Sequence, residues 1–271
     1  MKILCSGIEY NIEIRGEGEA LVLLHGFTGS AENWDYPSRF FSENLKLIAI
    51  DIIGHGKTES PTDLSRYSMV RVVEDLKLIF DTLNIGKAAI LGYSMGGRLA
   101  LSFAALYPEY INSLILESAS PGLNNEQERD VRTKSDWKLA EFIEGKGMEA
   151  FVDYWSHIPL FQSQLLLSKE EQESIKKQRL NNTKHGLANS LRGMGTGAQA
   201  SWWNTLKTLS FRVLLITGSL DKKFCKLAAE MNELLTAGVW VIIENAGHAV
   251  HVEQPEEFGH IVSDFLADGK V

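Results

Sequence analysis

Three side chains in this sequence have the types needed for proton-transfer or acyl-transfer chemistry. Ser94 lies in Gly92-Tyr93-Ser94-Met95-Gly96, which fits the pattern G-x-S-x-G. A serine hydroxyl is too weak an acid to act alone; it needs an imidazole to take its proton and a carboxylate to orient that imidazole. Asp221 supplies a carboxylate in Gly218-Ser219-Leu220-Asp221-Lys222, and His248 an imidazole in Asn245-Ala246-Gly247-His248. Each of the three directly follows an apolar run. The glycines around Ser94 are there for steric reasons, because a strand turning at once into a helix leaves no room for side chains beside the bend. That bend also sets the Met95 N–H at a helix N-terminus, where a developing oxyanion is favoured. A second donor is expected from the loop after the third strand, and the Phe27 N–H, following His25-Gly26, is the candidate. Losing one such donor typically costs about 2.7–4 kcal/mol of transition-state stabilisation.

The elements that must position these groups can be read from periodicity. Residues 2–5 and 8–14 alternate as a hairpin about Ser6-Gly7. Ala20–Leu24, Lys46–Asp51, Ala88–Leu91 and Ile111–Glu117 are short apolar runs of the kind that form buried parallel strands. Tyr67–Leu83 and Leu99–Leu106 have helical spacing. Strands alternating with helices predict a doubly wound α/β sheet. From Ser120 to about Leu206 the rhythm changes to polar amphipathic helices over 126–144, 148–154, 169–180 and 185–194, and the strand pattern resumes at Arg212–Thr217 and Val239–Ile243. The division expected is a core of residues 1–119 and 207–271 with a helical cap, 120–206, inserted between two strands of its sheet. Asp221 and His248 then follow carboxyl strand ends, the edge where open α/β sheets place their sites.

A chain of 271 residues can bury roughly 75% of its unfolded surface and needs no metal or disulfide to hold it. Cys5 and Cys225 lie far apart without metal-ligand spacing, the usage of a reducing cytoplasm. No apolar run approaches membrane-spanning length, and Met1–Ser6 has no signal-peptide core. A net charge of −8 argues against a nucleic-acid partner, although local arginines can still bind a small anion. Oligomeric state is not legible. Among the other histidines, His25, His55 and His251 read as structural, whereas His157 and His185 fall in the cap, where a pocket could form.

The motifs His25-Gly26-Phe27, Gly54-His55-Gly56, Gly92-Tyr93-Ser94-Met95-Gly96-Gly97, Gly218-Ser219-Leu220-Asp221 and Gly247-His248, with the order Ser…Asp…His, resemble the α/β-hydrolase superfamily across the whole chain. That resemblance implies an eight-stranded, mostly parallel sheet with helices on both faces. It leaves the reaction open, since the fold hosts esterases, lactonases, C–C hydrolases, lyases and receptors. A narrower resemblance rests on Tyr93–Arg98, Glu117–Leu123, Arg132, Trp155 before Pro159-Leu160-Phe161, Arg179 before Asn181-Asn182, Leu191–Gly197, Asp221–Phe224 and Ala246–His251. These are similar to the 2-succinyl-6-hydroxy-2,4-cyclohexadiene-1-carboxylate synthases of menaquinone biosynthesis. That family is implied to be cytoplasmic lyases that use the triad without metal or organic cofactor. They eliminate pyruvate from 2-succinyl-5-enolpyruvyl-6-hydroxy-3-cyclohexene-1-carboxylate and bind its carboxylates with arginines.

The residues agree with that implication where they can. Guanidinium groups suit carboxylates better than ammonium groups do. Arg98, four residues beyond Ser94, shares its helix face and can point into a pocket. Arg132 and Arg179 lie on amphipathic cap helices, where solvation is the default. Only the resemblance makes them substrate ligands, together with Tyr93 and an aromatic wall at Trp155. Arg192 and Lys222 stay open. Two rival readings also stand: a serine hydrolase of an ester or C–C bond in an anionic small molecule, and a non-catalytic small-molecule receptor.

Overall fold

A computed structural model describes residues 1–268 of the chain. Eight strands form one sheet: β1 Lys2–Cys5, β2 Ile8–Arg15, β3 Glu19–Leu24, β4 Leu45–Ile50, β5 Ala88–Tyr93, β6 Ile111–Glu117, β7 Arg212–Gly218 and β8 Gly238–Ile243. Their order is β1-β2-β4-β3-β5-β6-β7-β8, with β1 and β2 antiparallel to their neighbours and the rest parallel. The apolar runs fall where buried parallel strands require them, and every residue of β5 is buried. The helices are α1 Met69–Thr82, α2 Met95–Leu106, α3 Glu126–Ser156, α4 Lys169–Leu180, α5 Lys184–Met194, α6 Lys222–Leu234, α7 Val250–Glu253 and α8 Pro255–Ala267.

Two apolar layers sandwich the sheet. One is built on Val22, Ile48, Ile90 and Leu114 with α1 and α2; the other on Leu23, Leu91, Ile115 and Ile216 with Phe258 and Val262 of α8. Register then fixes the site. Leu24 pairs with Gly92, Tyr93 with Glu117, Glu117 with Ile216 and Gly218 with Ile243, so the loops after β3, β5, β7 and β8 emerge along one edge.

The segment between β6 and β7 carries α3, α4 and α5. The helical spacing over 126–144 and 148–154 becomes one element, 126–156, broken at Gly147, whose φ of 81° is in the left-handed region. Ala140, Ile143, Phe151, Val152, Leu187, Ala188 and Leu191 give this segment a small core of its own, against which Phe27 packs. Its entry and exit are tied together: Trp202 N–H donates to the Pro121 carbonyl at 2.7 Å and Trp203 Nε1–H to the Gly122 carbonyl at 3.0 Å. Among the described residues no helix is long and apolar enough to cross a membrane, and both cysteines are free.

Candidate active site

Ser94 stands at the bend between β5 and α2 with φ 49° and ψ −104°, a backbone that L-residues adopt only under constraint. The constraint is close packing. A Cβ on Gly92 would collide with the Gly96 carbonyl and lie 2.6 Å from Gly97 Cα, and one on Gly96 would strike the Leu24 carbonyl. Ser94 N–H donates to the Glu117 carbonyl at 2.9 Å, continuing the β5–β6 ladder into the bend. The hydroxyl is thereby raised over the sheet edge, 3.0 Å from His248 Nε2, and His248 Nδ1 lies 2.7 Å from Asp221 Oδ2. Asp221 caps α6, its other oxygen accepting from the Phe224 N–H at 3.2 Å. The imidazole is enclosed by the rings of Phe224, Tyr93 and Phe161 at centroid distances of 4.6, 5.4 and 6.0 Å. This geometry passes a proton from hydroxyl to imidazole while the carboxylate fixes the tautomer.

A cavity of about 420 Å³ lies over Ser94, between the sheet edge and the inserted helices. Phe27, Met95, Tyr93, Trp155, Arg98 and Arg132 are among its lining residues. Neither the Phe27 nor the Met95 N–H has a partner among the described residues, so both remain available as donors. Arg98 Nη1 donates to the Met194 carbonyl at 2.7 Å and to Gln199 Oε1 at 2.9 Å. Burial, and secondarily Arg132, lowers its pKa to about 10, so it stays charged at neutral pH beside neutral partners. Arg132 spends its Nε–H on Asp136 Oδ1 at 2.8 Å, leaving its Nη groups without a protein partner among the described residues. Trp155 meets Phe27 at 5.4 Å, and its buried indole N–H is unpartnered. Burial first, and Glu117 second, hold the Tyr93 hydroxyl protonated, its pKa well above the usual value.

The model of the α/β-hydrolase fold family matches residues 19–255. A Bacillus subtilis protein carrying, provisionally, the name 2-succinyl-6-hydroxy-2,4-cyclohexadiene-1-carboxylate synthase is 48% identical over 96% of this chain and 95% of its own. The synthase of that name from Salmonella agona is 31% identical over 87% of this chain and 89% of its own. The chain is an α/β-hydrolase of this synthase family. Among solved structures, MenH from S. aureus is similar to this α/β-hydrolase with a TM-score of 0.91 and 34% identity, over 96% of this chain and 99% of that one. An esterase from Thermogutta terrifontis, at 24% identity and a TM-score of 0.87 over 100% and 99% of the two chains, shares the fold.

Measured against the sequence expectations for this α/β-hydrolase, Ser94, His248, Phe27, Met95, Tyr93, Arg98, Arg132 and Trp155 come together around one cavity, with Asp221 behind His248. Arg179 does not line it. It is only 6% exposed, stacks 4.8 Å over the Phe161 ring, and donates to Ser156 Oγ at 2.7 Å and Gln164 Oε1 at 2.9 Å. It faces a side cavity of about 40 Å³ that shares Phe27, Tyr93 and Phe161 with the main one. The helix carrying it packs inward at that turn, so default solvation of an amphipathic face does not apply. Arg192 is spent on Glu144 in a bidentate pair at 2.8 and 2.6 Å. Lys222 does not line the cavity, but Lys223 and Lys226 do. His157 and His185 stay outside it, on the Asp153 and Pro61 carbonyls.

Three features of the α/β-hydrolase site escaped the sequence reading. His251 is paired, fully buried, with Glu117 at 2.8 Å. Phe224 packs on the imidazole, and Gln199 holds Arg98. The acid that directly follows the buried apolar run Leu114–Leu116, Glu117, was the available signal for the first; the other two have none, because they are long-range contacts.

Proposed function

We propose that this chain eliminates pyruvate from 2-succinyl-5-enolpyruvyl-6-hydroxy-3-cyclohexene-1-carboxylate, giving 2-succinyl-6-hydroxy-2,4-cyclohexadiene-1-carboxylate in menaquinone biosynthesis. The observation that carries this reading is a complete Ser94–His248–Asp221 relay beneath a cavity that also holds Arg98 and Arg132, neither neutralised within hydrogen-bond reach except by Asp136 on Arg132 Nε. A neutral ester needs no such cations; a substrate with several carboxylates does.

In the mechanism, the Ser94 hydroxyl proton passes to His248 Nε2. The oxygen then takes the proton from the ring carbon beside the succinyl carbonyl. Negative charge develops on that carbonyl oxygen, where the Phe27 and Met95 N–H groups would hold it. The electron pair shifts through the ring double bond and breaks the C–O bond to the enolpyruvyl group, which leaves as pyruvate after taking a proton from the imidazolium. Ser94 acts as a base and forms no acyl-enzyme. Arg98 and Arg132 hold substrate carboxylates, and Tyr93 and Trp155 line the ring's berth. The residues 120–206 serve as the cap that closes the cavity over residues 1–119 and 207–271. The free thiols suit a cytoplasmic enzyme.

A pyruvate assay coupled to lactate dehydrogenase tests the reading. Steady NADH loss with the cyclohexene substrate, and no substrate-derived mass on Ser94 in enzyme quenched during turnover, is expected. Absence of pyruvate together with rapid hydrolysis of neutral aryl esters would replace it with a hydrolase.

A further inference from the structure

Glu253 ends α7, five residues after the imidazole of the relay, and no cation pairs with it among the described residues. Its Oε2 accepts from the Gly247 N–H at 2.7 Å and its Oε1 from the Ala249 N–H at 3.4 Å. The two oxygens therefore grip the backbone on both sides of His248. Ser163, which belongs to the segment between β6 and β7, sits at the same spot: the Cβ position of Gly247 faces both its hydroxyl and the Glu253 carboxylate. That segment rests directly on the same peptide: a Cβ at Gly247 would lie 2.9 Å from Ser163 Cβ and collide with its hydroxyl. Ser163, Gly247, His248 and Asp221 also share the walls of a second cavity, of about 340 Å³, behind the relay.

Such a grip has a purpose in this loop. Asn245, three residues before His248, has φ 58°, and the short α7 follows at once, so little regular structure holds the imidazole in register. A misplacement of about 1 Å in a reacting group can cost ~10²-fold in rate. A buried carboxylate with no cation also acts by its charge on the imidazole between the amides it holds. The other titratable groups around His248 are Asp221 at the start of α6, Tyr93 at the end of β5, the Glu117–His251 pair behind Tyr93, and Lys223 at the cavity mouth.

We propose that Glu253 is a positioning residue for His248, and that Ser163 makes this positioning depend on how the inserted segment 159–166 is seated on the sheet edge. The proposal deepens the reading of Ser94 and His248 as the base relay, and its test does not need the lyase reaction to succeed. Full-length Glu253→Gln and Ser163→Ala proteins are compared with the parent by pyruvate release, by the pH profile of kcat/KM, and by the rate at which an alkyl fluorophosphonate labels Ser94 with loss of fluoride. Glu253→Gln should lower kcat by about 10–100-fold with KM nearly unchanged and slow the labelling in proportion. Removing the negative charge should shift the acidic limb to lower pH by on the order of half a unit. Ser163→Ala keeps the charge, so its acidic limb should stay in place while kcat and labelling fall about 3-fold. Parent-like labelling and an unmoved acidic limb in Glu253→Gln overturn the proposal, as does a loss of rate with no change in limb position, which marks a residue that merely holds the loop. If Glu253→Gln does not fold, the Ser163→Ala labelling rate decides the link to the insertion. A parent that releases no pyruvate but shows the expected labelling differences refutes the lyase reading and leaves the positioning role standing.

Discussion

The carboxyl edge of the sheet and the inserted helices both face the main cavity, but they hold their polar groups by different means. At the edge, each reacting side chain sits one to five residues beyond a strand whose neighbours are fixed by ladder hydrogen bonds, so Ser94, His248 and Asp221 meet at 3.0 and 2.7 Å. In the insertion there is no ladder. Arg132 is aimed by one turn of helix and Asp136; Arg179 is wedged between Ser156, Gln164 and the Phe161 ring. The reacting groups are thus all held at the ends of paired strands, whereas the cavity's arginines are aimed by helices, Arg98 from α2 and Arg132 from α3.

This contrast can be broken most forcefully at the edge. Ser94→Ala or His248→Ala should reduce kcat for pyruvate release by ~10⁴-fold or more, with the two together no worse than either alone, because the pair acts as a unit. Additive losses in the double variant, by steady-state kinetics, would mean that the two groups act separately.

Acid probes the rigidity beneath the edge. His25 accepts the Ile52 N–H at 3.0 Å, His55 packs beside it at 5.2 Å, and both are buried. Burial lowers their pKa to about 4 and about 3, so the folded protein keeps both neutral where the unfolded chain takes up protons. Above about pH 6.5 the two states bind equally and nothing is lost. As pH falls below that value each histidine removes about 1.4 kcal/mol per unit, levelling off below its folded pKa. Urea midpoints should therefore fall between pH 7 and pH 5 by an amount equivalent to roughly 3–4 kcal/mol. His55→Asn should shrink that difference by about half; an unchanged difference would assign the acid sensitivity elsewhere.

The arginines sharpen the comparison with smaller effects. Arg98 stands on α2 of the core yet is held by Met194 and Gln199, at the end of the insertion's last helix and just downstream of it, so it bridges both regions. Arg98→Lys, which loses the fork, should lower kcat/KM for pyruvate release by about 10²-fold. Arg132→Ala should raise KM about tenfold and leave kcat within a factor of two. Turnover of a neutral aryl ester, if any is measurable, should respond to neither; an equal response to both substrates would make these arginines structural.

Much of this was legible in the chain. The runs at 20–24, 88–91, 111–117 and 212–217 are strands because a parallel strand covered on both faces needs a largely apolar centre, as in Leu114–Leu116 and Val213–Ile216, a constraint independent of neighbours. The bend at Ser94 was legible because only glycines fit beside it, and the helices of 126–194 because their polar-apolar periodicity is local. The orientation of long side chains was not. Arg179 and Arg192 have the same chemistry on similar helices, yet one is buried beneath a ring and the other paired with Glu144 at the surface.

From its sequence alone, then, this protein has its strand order of reacting groups, its bend, and the run of helices between β6 and β7, since each follows from hydrophobic pattern and backbone sterics acting within a few residues. Tertiary structure decided which cations see the cavity, that His251 is bound to Glu117, and that Glu253 and Ser163 close on the loop of His248. Those contacts join residues from β6, α7 and the insertion, and the free energy of a buried polar group depends on the partners that packing brings to it.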